Sequence, residues 1–130
     1  MKGRKEGHGR YDWADGSHFE GEFVNSMFEG QGVYYYAESE KVYEGNFSEN
    51  LFDGKGKLSY KDGRVYTGDF VRNKKQGQGT LIYPNGNKYI GAWSEDREHG
   101  VGIFLNAAEG TKRQGEWKNG KRTTWLGKKN

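Results

Sequence analysis

The sequence predicts an all-β fold, an elongated single-layered antiparallel meander of stacked β-hairpins. Three observations predict it. A glycine-centred element recurs every 23 or 24 residues, and no apolar 3.6-residue period of the kind that marks a helix occurs. Leu, Ile, Val and Phe make up only 16% of the 130 residues, whereas aromatic residues make up 15%. Aliphatic side chains are therefore too few for a conventional core, and aromatic rings must provide most of the buried surface.

The recurring element is aromatic-x-Gly-x-aromatic, and each copy predicts a short strand. The copies are FEGEF (19–23), YEGNF (43–47), YTGDF (66–70), YIGAW (89–93) and RQGEW (113–117). Strand alternation places both aromatics and the central glycine of a copy on one face. We predict that these central glycines are structural, because a glycine lets a ring lie close to the backbone. They are Gly21, Gly45, Gly68, Gly91 and Gly115.

A G-x-G element follows each of the first four copies and predicts the second strand of each hairpin. A fifth, Gly7 and Gly9, precedes the first copy. The pairs Asp62-Gly63 and Asn85-Gly86 indicate tight hairpin turns, since primed turns need positive φ. About ten strands result, a meander roughly 45 to 50 Å long at about 4.8 Å per strand. The predicted single domain comprises a half repeat 1–16, repeats 17–40, 41–63, 64–86 and 87–110, a half repeat 111–125 and a basic tail 126–130.

Composition and motifs exclude several kinds of site. The chain has no cysteine, which removes disulfides and thiolate chemistry, and no apolar run long enough for a membrane span or a secretory signal. Glu20 and Glu22 share a strand face but are not repeated in later copies, and the three histidines lack ligand spacing. No G-x-G extends to a dinucleotide-binding motif. We expect a cytoplasmic protein with no catalytic residue, metal site or cofactor.

These motifs resemble the MORN repeat family (membrane occupation and recognition nexus), whose units resemble Y-x-G-x-W followed by a G-x-G segment and a D-G turn. The resemblance runs from Gly7 to about Gly120, with Arg113 in place of the first aromatic of the last copy. It implies hairpins stacked into an elongated, grooved rod. Some family members append such arrays to lipid kinases, methyltransferases or junctional membrane proteins, and many are stand-alone scaffolds. The short all-repeat form is most similar to axonemal and radial-spoke-type scaffolds.

An aromatic-lined groove is the predicted site for partner proteins. One layer of sheet cannot bury all 20 aromatic residues, and exposed apolar patches mark interaction sites. Phe28 and Phe52 are expected in loops, where they either anchor a partner or pack between repeats. The candidate partner-binding residues are Phe28, Phe52, Tyr43, Tyr66, Tyr89, Trp93 and Trp117.

Basic clusters give a second candidate surface. Net charge is +3 over residues 1–10, −7 over residues 11–60 and +5 over residues 101–130, so that an acidic front region is followed by a basic rear. This charge gradient either drives end-to-end or oriented assembly by electrostatic complementarity, or is a solvated surface without function. The candidate basic patch is Arg72, Lys74, Lys75, Lys118, Lys121 and Arg122. It suits anionic lipid, whereas nothing beyond charge suggests nucleic acid.

Two functions follow from these surfaces. The first is a non-enzymatic scaffold that docks other proteins of a larger complex, in a ciliary (axonemal) or other cytoskeletal assembly. The alternative is a peripheral membrane module that binds anionic phospholipid through the basic clusters.

Overall fold

The chain forms one open antiparallel sheet in which every strand pairs with its neighbours in sequence. The computed structural model describes residues 6–127, so the first five residues of the predicted half repeat and the last three of the predicted basic tail lie outside it. The sheet order is β1 to β11 without a crossover. The strands are β1 Gly7–Asp12, β2 His18–Val24, β3 Met27–Tyr36, β4 Lys41–Ser48, β5 Leu51–Ser59, β6 Val65–Val71, β7 Lys74–Ile82, β8 Lys88–Ser94, β9 Arg97–Asn106, β10 Thr111–Lys118 and β11 Lys121–Leu126.

The all-β meander is confirmed, with one strand more than the ten or so predicted. The additional strand is β11, whose sequence KRTTWL contains no G-x-G element. Within residues 6–127 there is no helix, and therefore none that could cross a membrane. At about 4.8 Å per strand the eleven strands extend over roughly 50 Å.

All large buried side chains lie on one face of the sheet, which we call the aromatic face. In β4, Tyr43 and Phe47 are buried together with Gly45, while Glu44 between them is exposed. The same alternation recurs in β2 and β8. The core is consequently a layer of rings lying on a single sheet, with no second sheet or helix to cover it among the described residues.

Rings rest on paired glycines, as predicted. Gly21 and Gly32 lie opposite each other in β2 and β3. A Cβ added to Gly32 would be 2.6 Å from two atoms of the Phe19 ring, closer than carbon atoms can approach. Tyr43, Tyr66 and Tyr89 cover the equivalent glycines of later repeats in the same way. Gly115 is the exception, because the rings nearest to it are those of Trp117 and Trp125.

Turns at two opposite edges alternate along the sheet, and the sequence located only those of one edge. At Asp62-Gly63 only the glycine has positive φ (100°), and Tyr60 N donates to Arg64 O, so the turn is a type I turn with a following bulge and not the predicted primed turn. Primed turns, with two positive-φ residues, lie at the opposite edge. Their residue pairs are Asn25-Ser26, Glu49-Asn50, Arg72-Asn73, Glu95-Asp96 and Asn119-Gly120.

These primed turns place Phe28 and Phe52 in strands, and the prediction that they occupy loops is wrong. Phe28 begins β3 and stacks on Phe19 at 3.8 Å between ring centroids and 10° between planes. Phe52 stacks on Tyr43 at 3.8 Å and 4°. Both are buried, so of the two alternatives left open, packing between repeats describes their position.

Hydrogen bonds tie each primed turn to the hairpin before it. Asn50 Oδ1 accepts from Phe28 N at 2.8 Å, and Asn73 Oδ1 accepts from Phe52 N at 2.7 Å. Asp96 performs the same role for Lys75 N at 2.8 Å. The hairpins are thus linked at their turns as well as along their strands.

Candidate interaction surface

Half-buried rings border the buried layer of the aromatic face and form the candidate interaction surface. Six of them lie two or four residues after the second glycine of a G-x-G element, where a strand approaches its turn and neighbours cover less of each ring. The seventh lies on β11, which has no such element. We call these rings the outer aromatic row. Its members are Trp13, Tyr34, Tyr36, Tyr60, Tyr83, Phe104 and Trp125, all partly buried and packed against the core.

Ring contacts join the first members of the row into a continuous strip. Trp13 lies 5.1 Å from Tyr34, and Tyr34 lies 4.3 Å from Tyr36, measured between ring centroids. Phe28 packs edge-on beneath Trp13 at 6.0 Å, and Phe52 beneath Tyr36 at 6.1 Å. The buried rings therefore hold the row in place, and a partner would meet a preorganised surface.

Cationic side chains lie over rings of the row. Lys41 Nζ is 5.2 Å from the Tyr36 centroid, and the Arg64 guanidinium is 4.3 Å from that of Tyr60. Arg64 also pairs with Asp62. Lys41 forms no ion pair within residues 6–127, so its charge can meet an acidic group of a partner.

The third and fourth repeats differ from the first two, because Lys75 and Glu98 occupy the positions that Phe28 and Phe52 hold there. Lys75 Nζ lies 5.1 Å from the Tyr60 centroid and 5.5 Å from that of Tyr66. The loss of a stacked ring leaves a cleft of about 150 Å³. Its lining is both aromatic and charged, with Tyr60, Arg64, Lys75, Leu81, Tyr83, Trp93, Asp96 and Glu98.

Buried tyrosines of the core are hydrogen-bond donors within the chain. Tyr43 Oη donates to Asn46 O at 2.7 Å, and Tyr89 Oη donates to Ala92 O at 2.8 Å. Burial raises the pKa of both hydroxyls to about 12. Such groups stay protonated at neutral pH and hold their rings over the glycines instead of exchanging protons.

The seven predicted partner-binding residues belong to the buried layer. Tyr43, Tyr66 and Tyr89 are at most 1% exposed, and Trp117 and Phe28 reach only 9%. They support the outer aromatic row from below. Most of the row could have been found in the sequence, because six of its seven rings lie two or four residues after the second glycine of a G-x-G, but the alternation alone does not say which rings stay accessible.

The predicted basic patch does not form one surface. Arg72 and Lys74 lie at the turn between β6 and β7, and Lys118 and Lys121 at the turn between β10 and β11. Four strands separate these turns, about 19 Å, and the acidic turn Glu95-Asp96 lies between them. Lys74 pairs with Glu95 at 2.7 Å, whereas Lys75 points to the aromatic face. Arg122 lies over Trp125, 4.4 Å from the ring centroid.

The polar face carries an imidazole between two carboxylates. His8 contacts Glu22 through Nδ1 at 3.3 Å and Glu20 through Nε2 at 3.4 Å. The hydrogen bond with Glu22, followed by that with Glu20, raises the pKa of His8 above its ordinary value. All three side chains are exposed, and no group of three metal-ligating side chains was found within residues 6–127. His99 accepts a hydrogen bond from Asn119 N at 3.4 Å, where earlier repeats use Glu29 and Gln76.

A small apolar area on the polar face is a rival surface. Ile90 and Val101, on β8 and β9, are 42% and 45% exposed. Sequence reasoning did not single them out, because isolated exposed aliphatics are common on protein surfaces. They provide a matched control for experiments on the outer aromatic row.

Comparison with known proteins identifies the repeats. The MORN repeat family matches residues 1–18, 19–39, 43–63, 66–88, 89–107 and 114–123. Among solved structures, the chain is similar to the TCP domain of SAS-4 (dCPAP) from Drosophila melanogaster, in complex with a proline-rich motif of Ana2 (dSTIL). The identity is 19% and the TM-score 0.49, over 93% of this chain and 73% of that one. The TCP10 domain of CPAP from Danio rerio, in complex with a peptide of STIL, is 16% identical at a TM-score of 0.29, over 92% of this chain and 71% of that one.

Proposed function

Because this chain belongs to the MORN repeat family, we propose that it is a non-enzymatic scaffold that docks partner proteins along the outer aromatic row. The observation that carries the proposal is a row of half-buried rings held in place by a buried ring layer. Protein interfaces are enriched in aromatic residues that sit on rigid elements, since such residues lose little conformational entropy on binding. Lys41, which lies over Tyr36 and forms no ion pair within residues 6–127, favours a partner with acidic groups.

Affinity purification with matched variants tests this proposal. The chain carrying Tyr36→Ala, Tyr60→Ala and Tyr83→Ala is compared with the wild type and with an Ile90→Ala, Val101→Ala control on the polar face. Half-buried rings contribute less to folding than the buried layer, and circular dichroism verifies that the variants fold. We expect the wild type and the control to retain the same partners and the row variant to lose them. Equal recovery by all three forms would defeat the proposal.

We propose a ciliary (axonemal) or other cytoskeletal assembly as the setting, with the protein in the cytoplasm and bound to the cytoskeleton. The support is the resemblance of its repeats to those of axonemal and radial-spoke-type scaffolds. Imaging of the tagged chain in ciliated cells after detergent extraction tests it. Retention on axonemes or on another cytoskeletal structure is the expected result, and complete loss to the detergent-soluble fraction would contradict it.

A peripheral membrane role is the second candidate, and one observation favours it. Lys118, Lys121 and Arg122 lie at or next to the turn between β10 and β11, and Arg122 lies over Trp125, which suits an anionic interface with an aromatic anchor. Co-sedimentation with phosphatidylserine vesicles tests the role. Salt-sensitive pelleting that is lost when these three cations are reversed to glutamate, but kept when Arg72 and Lys74 are reversed, would support it. Absence of pelleting would leave only the protein-docking role.

A further inference from the structure

Interior G-x-G strands share one arrangement on both of their edges. Each of β3, β5, β7 and β9 pairs on either side with an aromatic-x-Gly-x-aromatic strand. The strand before it supplies a ring that lies over its second glycine, as Phe19 lies over Gly32. The same ring lies edge-on to the fifth-position aromatic of the strand that follows the G-x-G strand. Phe19 of β2 and Phe47 of β4, for example, are 5.0 Å apart between ring centroids.

The first strand, β1, has the conformation of these interior strands. Gly7 has φ 77°, comparable with 66° at Gly30 in β3. Gly9 lies opposite Gly21, as the second glycine of each interior strand lies opposite a glycine. The Glu6 carboxylate accepts a hydrogen bond from Asn25 N. In the same way, the Glu29 carboxylate of an interior repeat accepts one from Glu49 N in the primed turn that follows. The segment is thus a complete G-x-G strand.

The outer edge of β1 lacks the strand that interior units have in this place. Within residues 6–127, β1 pairs with β2 alone, and five of its six residues are exposed. The nearest atom to a Cβ built on Gly9 belongs to Phe23, at 3.2 Å, and Phe23 lies on the following strand. No first-position ring from the described residues covers Gly9, although every interior equivalent has one.

The opposite end of the sheet is built differently. Trp125 of β11 lies opposite Gly115, in the position that the second glycine holds in other repeats. Arg113 replaces the first-position aromatic, and its guanidinium lies 4.7 Å from the Trp125 centroid. Arg122 lies on the same indole at 4.4 Å. An indole at the glycine position leaves no room for a ring over the backbone, so β11 ends the pattern.

We infer that the outer edge of β1 is a strand-addition site for another polypeptide that carries an aromatic-x-Gly-x-aromatic segment. The incoming strand continues the sheet in the register of the interior interfaces, with its first aromatic over Gly9. Main-chain hydrogen bonds give affinity, and the glycine seat selects the pattern. A second copy of this chain does not supply the segment, because β2, β4, β6, β8 and β10 are each paired on both edges.

A nuclear magnetic resonance titration of the ¹⁵N-labelled chain tests the site. The probe is the blocked peptide KVYEGNFSEN, which corresponds to residues 41–50. A control peptide has alanine at the Tyr43 position and valine at the Gly45 position. The protein is used as wild type, as Gly9→Val, which fills the ring seat at a residue without positive φ, and as Thr124→Val in the other edge strand.

The expected result is a saturable shift of the β1 amides with the probe peptide. Binding should be at least tenfold weaker in Gly9→Val, unchanged in Thr124→Val, and absent with the control peptide. Unshifted β1 amides at millimolar probe would overturn the inference, as would equal binding of the two peptides or shifts confined to β11. The control peptide decides the matter even if Gly9→Val folds poorly. The outer aromatic row is a separate surface, and its docking role is decided by the affinity-purification test described above.

Discussion

Replacing Gly32 with alanine should destabilise the fold through one identifiable clash. The new Cβ would lie 2.6 Å from both Cε1 and Cζ of Phe19, and 3.2 Å from Glu20 O. The Phe19 ring cannot swing aside freely, because Phe28 stacks on it at 3.8 Å and Phe47 meets it at 5.0 Å. Gly32 does not have positive φ, so the substitution tests the space above the glycine without adding turn strain.

The magnitude follows from two opposing effects. Overpacking a well-filled site costs about 1–3 kcal/mol, while the lower entropy of the unfolded chain returns about 0.4–1 kcal/mol when alanine replaces glycine. We expect a net loss of about 1–2 kcal/mol in the free energy of unfolding, equivalent to a melting temperature lower by roughly 4–8 °C.

Urea denaturation followed by tryptophan fluorescence and circular dichroism measures this loss. Gly9→Ala is the matched control, because among residues 6–127 the Cβ of this variant would meet only Phe23, at 3.2 and 3.4 Å. Its loss of stability should be clearly smaller than that of Gly32→Ala, because its closest contact is 3.2 Å and not 2.6 Å. If Gly32→Ala proves as stable as Gly9→Ala, rings do not rest on the glycines and the account of the core is wrong.

Three further predictions concern other parts of the sheet. Lys75→Phe should raise the free energy of unfolding by about 1 kcal/mol, since a ring would stack on Tyr66 as in the earlier repeats; a lower melting temperature would contradict the repeat alignment. Asn73→Ala should lower the free energy of unfolding by about 1–2 kcal/mol, because it removes the hydrogen-bond acceptor for Phe52 N at a turn residue with positive φ. Asn73→Asp keeps an acceptor and should change it little. Equal urea midpoints for the two variants would refute this. The pKa of His8, measured by proton resonance titration, should exceed 6.5 and fall in Glu22→Gln. Because folding raises this pKa, protonated His8 stabilises the folded state below pH 6.5, and this stabilisation is lost as pH rises through the pKa of the folded state. A melting temperature that does not change over this interval would contradict the prediction.

The repeated strands could be predicted because each depends on a local pattern. Alternation placed Tyr43, Gly45 and Phe47 on one face, and the recurring glycines indicated where rings approach the backbone. The strand β11 escaped prediction because Trp125 replaces the glycine that marks such strands elsewhere.

Burial along a strand could not be predicted in the same way. Phe28 looked like a loop residue because the turn before it, Asn25-Ser26, contains no glycine, although both of its residues adopt positive φ. Whether a ring is buried depends on the neighbours that stack on it, and these come from the next hairpins. Tyr43 at the centre of a strand is covered from both sides, while Tyr36 near a turn is not.

Charge clusters were the least predictable feature, since proximity in sequence does not determine which surface a side chain joins. Lys74 and Lys75 are neighbours, yet one pairs with Glu95 at the turn edge and the other lies among the rings of the aromatic face. Strand alternation sends adjacent residues to opposite faces. A sequence cluster of cations therefore does not amount to a basic patch on a sheet.

Site-specific photo-cross-linking tests the central claim, that partners dock on the outer aromatic row, most directly. Benzoylphenylalanine replaces Tyr60 in one form of the chain and Ile90 on the polar face in another, and both are irradiated in cells. We predict covalent adducts with a partner protein from the Tyr60 position and none from the Ile90 position. Adducts from Ile90 alone, or none from Tyr60, would contradict the claim.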